Sequence, residues 1–444
     1  RVVVIGLARS GEAACRLLLK QGATVIGTDR RGGREIDAGI CSLERDGVSL
    51  EMGEQYLRSL LSADLIVVSP GIDLRESLLQ RVREVGIPLI GEVELAYRCS
   101  EATFIGVTGT NGKSTTTTLL GAMLKQAGLP SHVAGNIGTP LCRVAPSLGA
   151  GEFVVTELSS FQLETIKEFR PRVALLLNLA PDHLDRYTRV EDYYRAKARI
   201  FENQGPSDVA IVNADDPLVL KATALARGRR IAFSRTRPLD AGAYIGEDHL
   251  VLNLDGRREI VCRVSELKIH GVHNLENALA ASLAAAAVGA SPTVIRNALT
   301  SFEGLEHRLE FVAEIDGVRY VNDSKGTNVG AVMRSLESFT GPVVLIAGGR
   351  DKHGDFAPLL PLVRERVKRL ILIGEAAEKL RRALASACPT EEASSLEEAV
   401  SRAAAVASPG EVVLLSPACA SFDMFADFEE RGRVFKAAVR GLLS

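Results

Sequence analysis

Short apolar runs rich in Val and Ile alternate along the chain with longer stretches in which apolar residues recur every three to four positions. The short runs predict strands and the longer stretches predict amphipathic helices. Their alternation is the signature of parallel α/β layers. Residues 1–6 (RVVVIG) predict a strand, followed by a glycine turn and a helix through Lys20. Residues 23–28 and 64–69 predict two more strands, the second ending in the turn Ser69-Pro70-Gly71. A second unit opens with a strand at 103–107 and carries further strands at 153–156, 173–177 and 209–212. Residues 234–268 hold short alternating runs such as HLVLNL and predict a small antiparallel addition, before an Ala-rich helix over 274–288. A third unit predicts strands at 318–322, 343–347, 369–373 and 412–416. The expected domains are 1–91, 92–304 and 305–444.

Composition narrows the class. The 444 residues are 46% hydrophobic and 24% charged, enough apolar material for a core in each domain. With 53 basic and 55 acidic residues the net charge is -2, which argues against a nucleic-acid binder. No apolar run approaches the ~18–20 residues of a membrane span. Seven cysteines, an odd number without a C-x-x-C pair, indicate a reducing, cytoplasmic setting rather than a disulfide framework. No secretory leader is recognised. Because a strand begins at Arg1, a further stretch before it is expected.

The strongest chemical signal is TGTNGKST, Thr108 to Thr115, between an apolar strand and a helix. Glycines let backbone N–H groups converge on phosphate oxygens, lysine adds a point charge, and a hydroxyl reaches Mg²⁺. The longer phosphate-loop form would need glycine at Val107, so this is the shorter G-x-x-G-K-S form with Gly109 and Gly112. Glu157 ends one following strand, and Asp182, His183 and Asp185 lie just past another. Parallel strands share one carboxyl edge, so these groups can converge on the loop and offer Mg²⁺ hard oxygen ligands. A lone histidine is more often structural; beside Asp182 and the loop, His183 reads as functional. Lys197 lies on a helix in YYRAKARIFEN, and nothing in its spacing separates it from a solvated lysine.

The turn Gly6-Leu7-Ala8-Arg9-Ser10-Gly11 resembles a dinucleotide fingerprint, with Ala8 in place of the middle glycine and Asp29 ending the next strand. A bare tight turn and a diphosphate site both remain open, and a nucleotide-sugar diphosphate fits as well as NAD. In the third unit NDSKGTN (322–328), GGRDKHGDF (348–356) and SPACASFDMF (416–425) lie at strand ends. Three polar clusters on one sheet edge suggest a substrate face.

Together these residues resemble the Mur ligase family over nearly the whole chain. The phosphate loop has the family form. ELSSFQLE (157–164), DHLDRY (182–187), VNADDP (212–217), HNLENALAA (273–281), HRLE (307–310) and NDSKGTN follow in the family order. The run LLSPACASFDMFADFEERG (414–432) is similar to the D-glutamate-adding branch, and no DNPR-type signature of the diaminopimelate- or lysine-adding branch occurs. The resemblance implies three α/β domains: a Rossmann-like UDP-binding domain, a central P-loop-type ATPase and a Rossmann-like amino-acid-binding domain. It implies an ATP- and Mg²⁺-dependent ligase, in peptidoglycan precursor synthesis, joining D-glutamate to UDP-N-acetylmuramoyl-L-alanine through an acyl-phosphate. A monomer is expected.

Residue roles follow from the same resemblance. Gly109, Thr110, Asn111, Gly112, Lys113, Ser114 and Thr115 would hold the ATP phosphates. Asn274 and Asn277 would face adenine, Arg308 the phosphates and Asp323 the ribose, with Lys325 in the same ATP-binding set. Ser114, Glu157, His183 and a carbamylated Lys197 would serve Mg²⁺, and Lys113, Glu157, His183 and Lys197 would be catalytic. Arg9, Ser10, Arg30, Arg31, Gly71, Asn136 and His183 would bind the UDP substrate, with Gly71 on the uracil side and Asn136 facing the muramoyl-alanine arm; Arg9, Ser10, Arg30 and Arg31 occupy places that vary among relatives. Thr327, Lys352, Ser421 and Phe428 would bind D-glutamate. Three other readings compete. A folate-type polyglutamate ligase normally lacks a domain such as 1–91. A nicotinamide-dependent oxidoreductase leaves TGTNGKST unexplained. A noncatalytic nucleotide-binding module is the third.

Overall fold

The structure is a computed structural model that describes residues 1–32, 38–184, 186–224, 226–269, 271–351 and 354–443. The chain divides into two compact units. One comprises Arg1–Leu179, Glu191–Cys262 and Asn277–Leu299, and the other Ala180–Val190, Arg263–Glu276 and Thr300–Ser444.

The first unit contains two sheets. Strands β1 (Val2–Ile5), β2 (Val25–Asp29), β3 (Ser49–Met52), β4 (Leu65–Val68) and β5 (Leu89–Gly91) form a sheet of order β3-β2-β1-β4-β5. All its pairings are parallel. The chain switches direction across the sheet at β1, the arrangement that opens a crevice at the carboxyl ends of the strands. Helix Arg9–Lys20 turns Ala13, Ala14, Leu17 and Leu18 inward and leaves Arg9 and Lys20 exposed, which fixes its packing face.

The second sheet is built from β6 (Thr103–Thr108), β7 (Ser131–Gly135), β8 (Phe153–Glu157), β9 (Val173–Leu176), β10 (Val209–Asn213), β11 (Arg229–Ser234), β12 (Gly242–Gly246), β13 (His249–Leu254) and β14 (Arg257–Arg263). Its order is β14-β13-β12-β11-β10-β9-β6-β8-β7. Strand β6 is buried between β8 and β9, both parallel to it, so the loop after β6 opens at a topological switch point. The antiparallel addition predicted over 234–268 is present, as an extension of the main sheet. Strand β12 pairs parallel with β11 and continues the main sheet, and β13 then pairs antiparallel with β12. One apolar cluster runs from Val2 and Leu17 through Val93 and Leu141 to Phe104 and Ile200, so the two sheets share a core. At that join the Cys142 N–H donates to Glu92 at 2.7 Å.

The second unit holds β15 (Glu310–Ile315), β16 (Val318–Asn322), β17 (Val343–Gly348), β18 (Val367–Ile373), β19 (Thr390–Glu392) and β20 (Val412–Leu415), in the order β15-β16-β20-β17-β18-β19. Only β15 runs antiparallel to its neighbour. Among the described residues no helix is long and apolar enough to cross a membrane.

Strands β3, β5, β7, β15 and β19 were not predicted from the apolar pattern, and each lies at a sheet edge. An edge strand has one neighbour and is partly solvated, so it needs no continuous apolar run. Interior β11 is the exception: its run RRIAFS opens on two exposed arginines.

Candidate active site

The loop after β6 is shaped by its own backbone. Gly109 has φ 154°, and a Cβ there would lie 3.0 Å from the Leu177 Cβ. Gly112 caps the helix Lys113–Gln126 in the left-handed region at φ 82°, where a Cβ would lie 2.2 Å from the Asn277 Oδ1. Asn178, just beyond β9, holds the loop from below. Its carbonyl accepts from the Thr110 N–H at 3.0 Å and its Oδ1 from the Asn111 N–H at 2.8 Å. Nothing in the sequence pattern had marked Asn178.

Lys113 folds over the loop, its Nζ 2.8 Å from the carbonyl oxygens of Gly109 and of Thr110. Ser114 and Thr115 are buried in the first helical turn, where backbone N–H groups and the helix dipole favour an anion. Asn277 accepts from the Thr116 hydroxyl at 3.2 Å, tying the Ala-rich helix to the loop helix.

Glu157 ends β8 at 3% exposure and accepts from the Asn136 Nδ2 at 2.8 Å. The Asn136 N–H also donates to the Glu157 carbonyl at 2.9 Å, so two predicted residues from separate motifs meet. Lys197 departs from the ordinary solvated helix lysine. It is 2% exposed, its Nζ donates to the Gly109 carbonyl at 2.8 Å, and it lies 4.6 Å from the centre of the Tyr193 ring. An ammonium this buried is costly to desolvate unless it is paired or hydrogen-bonded, which makes Lys197 unlike a solvated helix lysine.

In the first sheet, a Cβ at Gly11 would lie 1.8 Å from the Gly6 carbonyl oxygen, which explains this glycine without any ligand. Asp29 is engaged by its own neighbourhood. It accepts from the Leu7 N–H at 2.7 Å and from the Arg31 guanidinium at 3.0 Å. Burial opposes its ionisation, but Arg31 and the two backbone N–H groups prevail and hold the carboxyl at about 2. Arg30 pairs with Glu76 at 2.6 Å, Arg9 donates to the Gly138 carbonyl, Ser10 is half-buried, and Gly71 is exposed after β4.

In the second unit the NDSKGTN loop follows β16. Asp323 is buried and accepts from the Ser335 and Ser416 hydroxyls, both at 2.7 Å. Burial pushes its carboxyl up to about 6 against those hydrogen bonds and the nearby Arg308. Arg308 lies between His307 (φ 64°) and Leu309 (φ 46°), two non-glycine residues in the left-handed region. The His307 N–H donates to Glu310 at 2.9 Å and its ring meets Asn322 Nδ2 at 2.9 Å, which holds the HRLE turn. Asn274 is buried on the helix Val272–Ala287, and on the same helix His273 is pushed down to about 4 by burial and by Arg334 and Arg308. His183 has φ 55° and its N–H donates to Asp182 at 2.9 Å. Asp182 also accepts from Asn328 at 3.0 Å, so the DHLDRY and NDSKGTN segments are joined within this unit. Lys325, placed with ATP by the resemblance, lies 3.5 Å from the centre of the Phe428 ring. Thr327 is half-buried and Ser421 is 2% exposed. Asp185 and Lys352 lie outside the described residues.

Residues 1–91 match the Mur ligase MurD-like N-terminal domain, 107–285 the Mur ligase middle domain, and 307–419 the Mur ligase glutamate ligase domain. Curated relatives match end to end. The UDP-N-acetylmuramoylalanine–D-glutamate ligase of Pelotomaculum thermopropionicum is 48% identical over 100% of this chain and 98% of its own. The ligase of the same name from Geotalea daltonii is 47% identical over 100% and 97%. This chain belongs to the Mur ligase family. Solved Mur ligase structures share the fold at low identity. The pseudomurein peptide ligase type C of Methanothermus fervidus superposes with a TM-score of 0.65, 19% identity and 99% of both chains covered. MurF ligase of Thermotoga maritima, solved in complex with ADP, gives 0.62 and 18%, covering 88% of this Mur ligase and 92% of its own chain. Membership removes the oxidoreductase reading: the glycine turn of the first sheet belongs to a ligase, and the family's use of ATP accounts for TGTNGKST.

Proposed function

We propose that this Mur ligase uses ATP to join D-glutamate to the carboxylate of UDP-N-acetylmuramoyl-L-alanine through an acyl-phosphate, a step of peptidoglycan precursor synthesis. The end-to-end similarity to relatives bearing that name carries the reading. We assign residues 1–91 to the UDP substrate, 92–304 to ATP and 305–444 to the amino acid. We place the protein in the cytoplasm as a monomer; none of the seven cysteines is in a disulfide, which suits a reducing compartment.

A carboxylate is a poor electrophile, so its oxygen must first be phosphorylated. Backbone N–H groups of the Gly109–Ser114 loop and the Lys113 ammonium bind and orient the phosphates and offset charge as the γ-phosphoryl is transferred. The Ser114 hydroxyl and the buried Glu157 carboxylate are hard oxygen donors and fit Mg²⁺, with His183 as a further candidate. Among the described residues no group of three or more His, Cys, Asp or Glu side chains is placed to hold a metal ion; phosphate oxygens and water would complete the shell. When bound, the ion supplies charge neutralisation. Asn136 orients Glu157, and we place it beside the muramoyl-alanine arm. An unmodified Lys197 ammonium does not fit as a ligand. Its amine adding CO₂ with loss of a proton would give a carbamate, whose oxygens do fit. Thr327, Lys352, Ser421 and Phe428 orient D-glutamate so that its amine displaces phosphate from the acyl carbon.

Phosphate release is expected only when ATP, UDP-N-acetylmuramoyl-L-alanine and D-glutamate are all present, with L-glutamate at least about 100-fold poorer in kcat/KM. Equal turnover of the two enantiomers, or release independent of either acceptor, overturns the reading.

A further inference from the structure

Among the described residues the largest fully buried side chain is an arginine. Arg431, in the helix Phe428–Gly441, is 1% exposed and has no carboxylate in its hydrogen-bond shell among the described residues. Its guanidinium is satisfied entirely by neutral oxygens. Nε donates to the Ser324 hydroxyl at 3.0 Å, and Nη2 to the Ser324 carbonyl at 2.8 Å. Nη1 donates to the carbonyls of Cys419 and Ala420, both at 3.2 Å. The Ser324 hydroxyl donates in turn to the Phe428 carbonyl at 2.8 Å. One cation therefore joins the loop that carries Thr327, the loop that carries Ser421, and the helix start that carries Phe428.

We infer that Arg431 is the positioning residue of the amino-acid site, holding these three segments in register so that their outward groups can receive an anionic amino acid. The inference rests on the assignment of Thr327, Ser421 and Phe428 to D-glutamate. The two ends of a planar peptide group point in opposite directions. A carbonyl turned inward to Arg431 therefore turns the following N–H away from it. The Ala420 carbonyl accepts from Arg431 at 3.2 Å and from the Arg350 N–H at 2.9 Å, so the Ser421 N–H is directed to the far side. There, among the described residues, neither that N–H nor the Ser421 hydroxyl donates to a protein acceptor. The Ser421 backbone and hydroxyl thus form a pair of donors suited to a carboxylate, backed by a buried positive charge. Packing enforces the arrangement. Gly349, at φ 128°, comes so close that a Cβ would lie 3.1 Å from the Arg431 Nη1 and 2.2 Å from the Ala420 carbonyl oxygen. An apolar side chain of similar size would fill the same volume at lower desolvation cost, so the charge has a role beyond packing.

Arg431→Lys keeps the charge and loses the planar fork. It is expected to raise KM for D-glutamate about tenfold or more while changing KM for ATP less than about twofold, because specific hydrogen bonds rather than the fold are removed. Ser324→Ala removes the hydroxyl that links Arg431 to Phe428 and is expected to shift the same KM in the same direction by a smaller factor. An unchanged D-glutamate KM in folded Arg431→Lys overturns the inference, as does a parallel rise for ATP. Should Arg431→Lys fail to fold, Ser324→Ala decides by the same two outcomes. The wild-type enzyme separates this from the underlying assignment. Absence of D-glutamate-dependent phosphate release overturns the assignment, whereas release with unaltered KM in the variants overturns the role of Arg431 alone.

Discussion

Two strand–turn–helix passages stand in the first unit, β1 with helix Arg9–Lys20 and β6 with helix Lys113–Gln126, and both turns carry paired glycines. In the first, Gly11 is needed because a Cβ would strike the Gly6 carbonyl, and the helix begins inside the turn at Arg9. The residue after that glycine is Glu12, paired with Arg16 at 3.2 Å. In the second, Gly112 is left-handed and the residue after it is Lys113, which folds over the loop while Asn178 supports it from below. Glycine spacing thus reports close approach in both passages, to backbone at Gly11 and to the Leu177 and Asn277 side chains at Gly109 and Gly112. Phosphate chemistry is indicated only where a cation and hydroxyl groups are delivered to the helix start.

The sharpest break in that comparison is Lys113→Ala. It is expected to lower kcat by about 1,000-fold or more, since a charge-assisted contact to transferred phosphate is lost, while the loss of its two loop hydrogen bonds lowers the melting temperature by no more than a few degrees. Near-normal turnover in steady-state assays would remove the distinction between the two turns. Lys197→Ala should lose about 100-fold or more, because the group that touches the Gly109 carbonyl carries the proposed carbamate. Added short-chain carboxylates should restore part of that activity; full activity without them would end the carbamate proposal.

The join between the two sheets offers a pH test. Burial pushes the Glu92 carboxyl up to about 7. Below the unfolded value of 4.5 both states are protonated and the stability is fully present. As pH rises toward 7, the unfolded chain loses its proton while the folded one retains it, so stability falls. Relative to Glu92→Gln, the wild type should lose about 3 kcal/mol across this window, read as urea midpoints at each pH. A pH-independent difference would show that Glu92 ionises as freely folded as unfolded.

Smaller effects separate the turns themselves. Gly11→Ala should cost about 2 kcal/mol of stability, by chemical denaturation, while KM for ATP stays unchanged. Gly112→Ala should do the reverse, weakening kcat/KM for ATP more than it weakens the fold, because its Cβ would displace Asn277 and distort the loop. Smallest is Arg31→Ala, which frees Asp29 from its partner and should raise KM for the UDP substrate about fivefold.

The sequence by itself determined the α/β class and most interior strands, because strands buried on both faces are apolar without interruption; β11, which opens on two exposed arginines, escaped that pattern. It marked the turn after β6 as the candidate phosphate loop, because glycine, lysine and hydroxyl groups at a strand-to-helix turn have few other uses. Edge strands such as β7 and β15 were not legible, since one solvated side relaxes the pattern that marks a strand. Nor were Asn178 and Arg431, whose importance lies in partners 67 and 107 residues away. The burial of Lys197 was likewise decided by tertiary structure. Its helical spacing is that of any lysine, and only the fold brings Gly109, 88 positions earlier, against its ammonium. Local pattern encodes which backbone conformations and which faces are favoured; what a side chain touches across the fold depends on how distant segments pack.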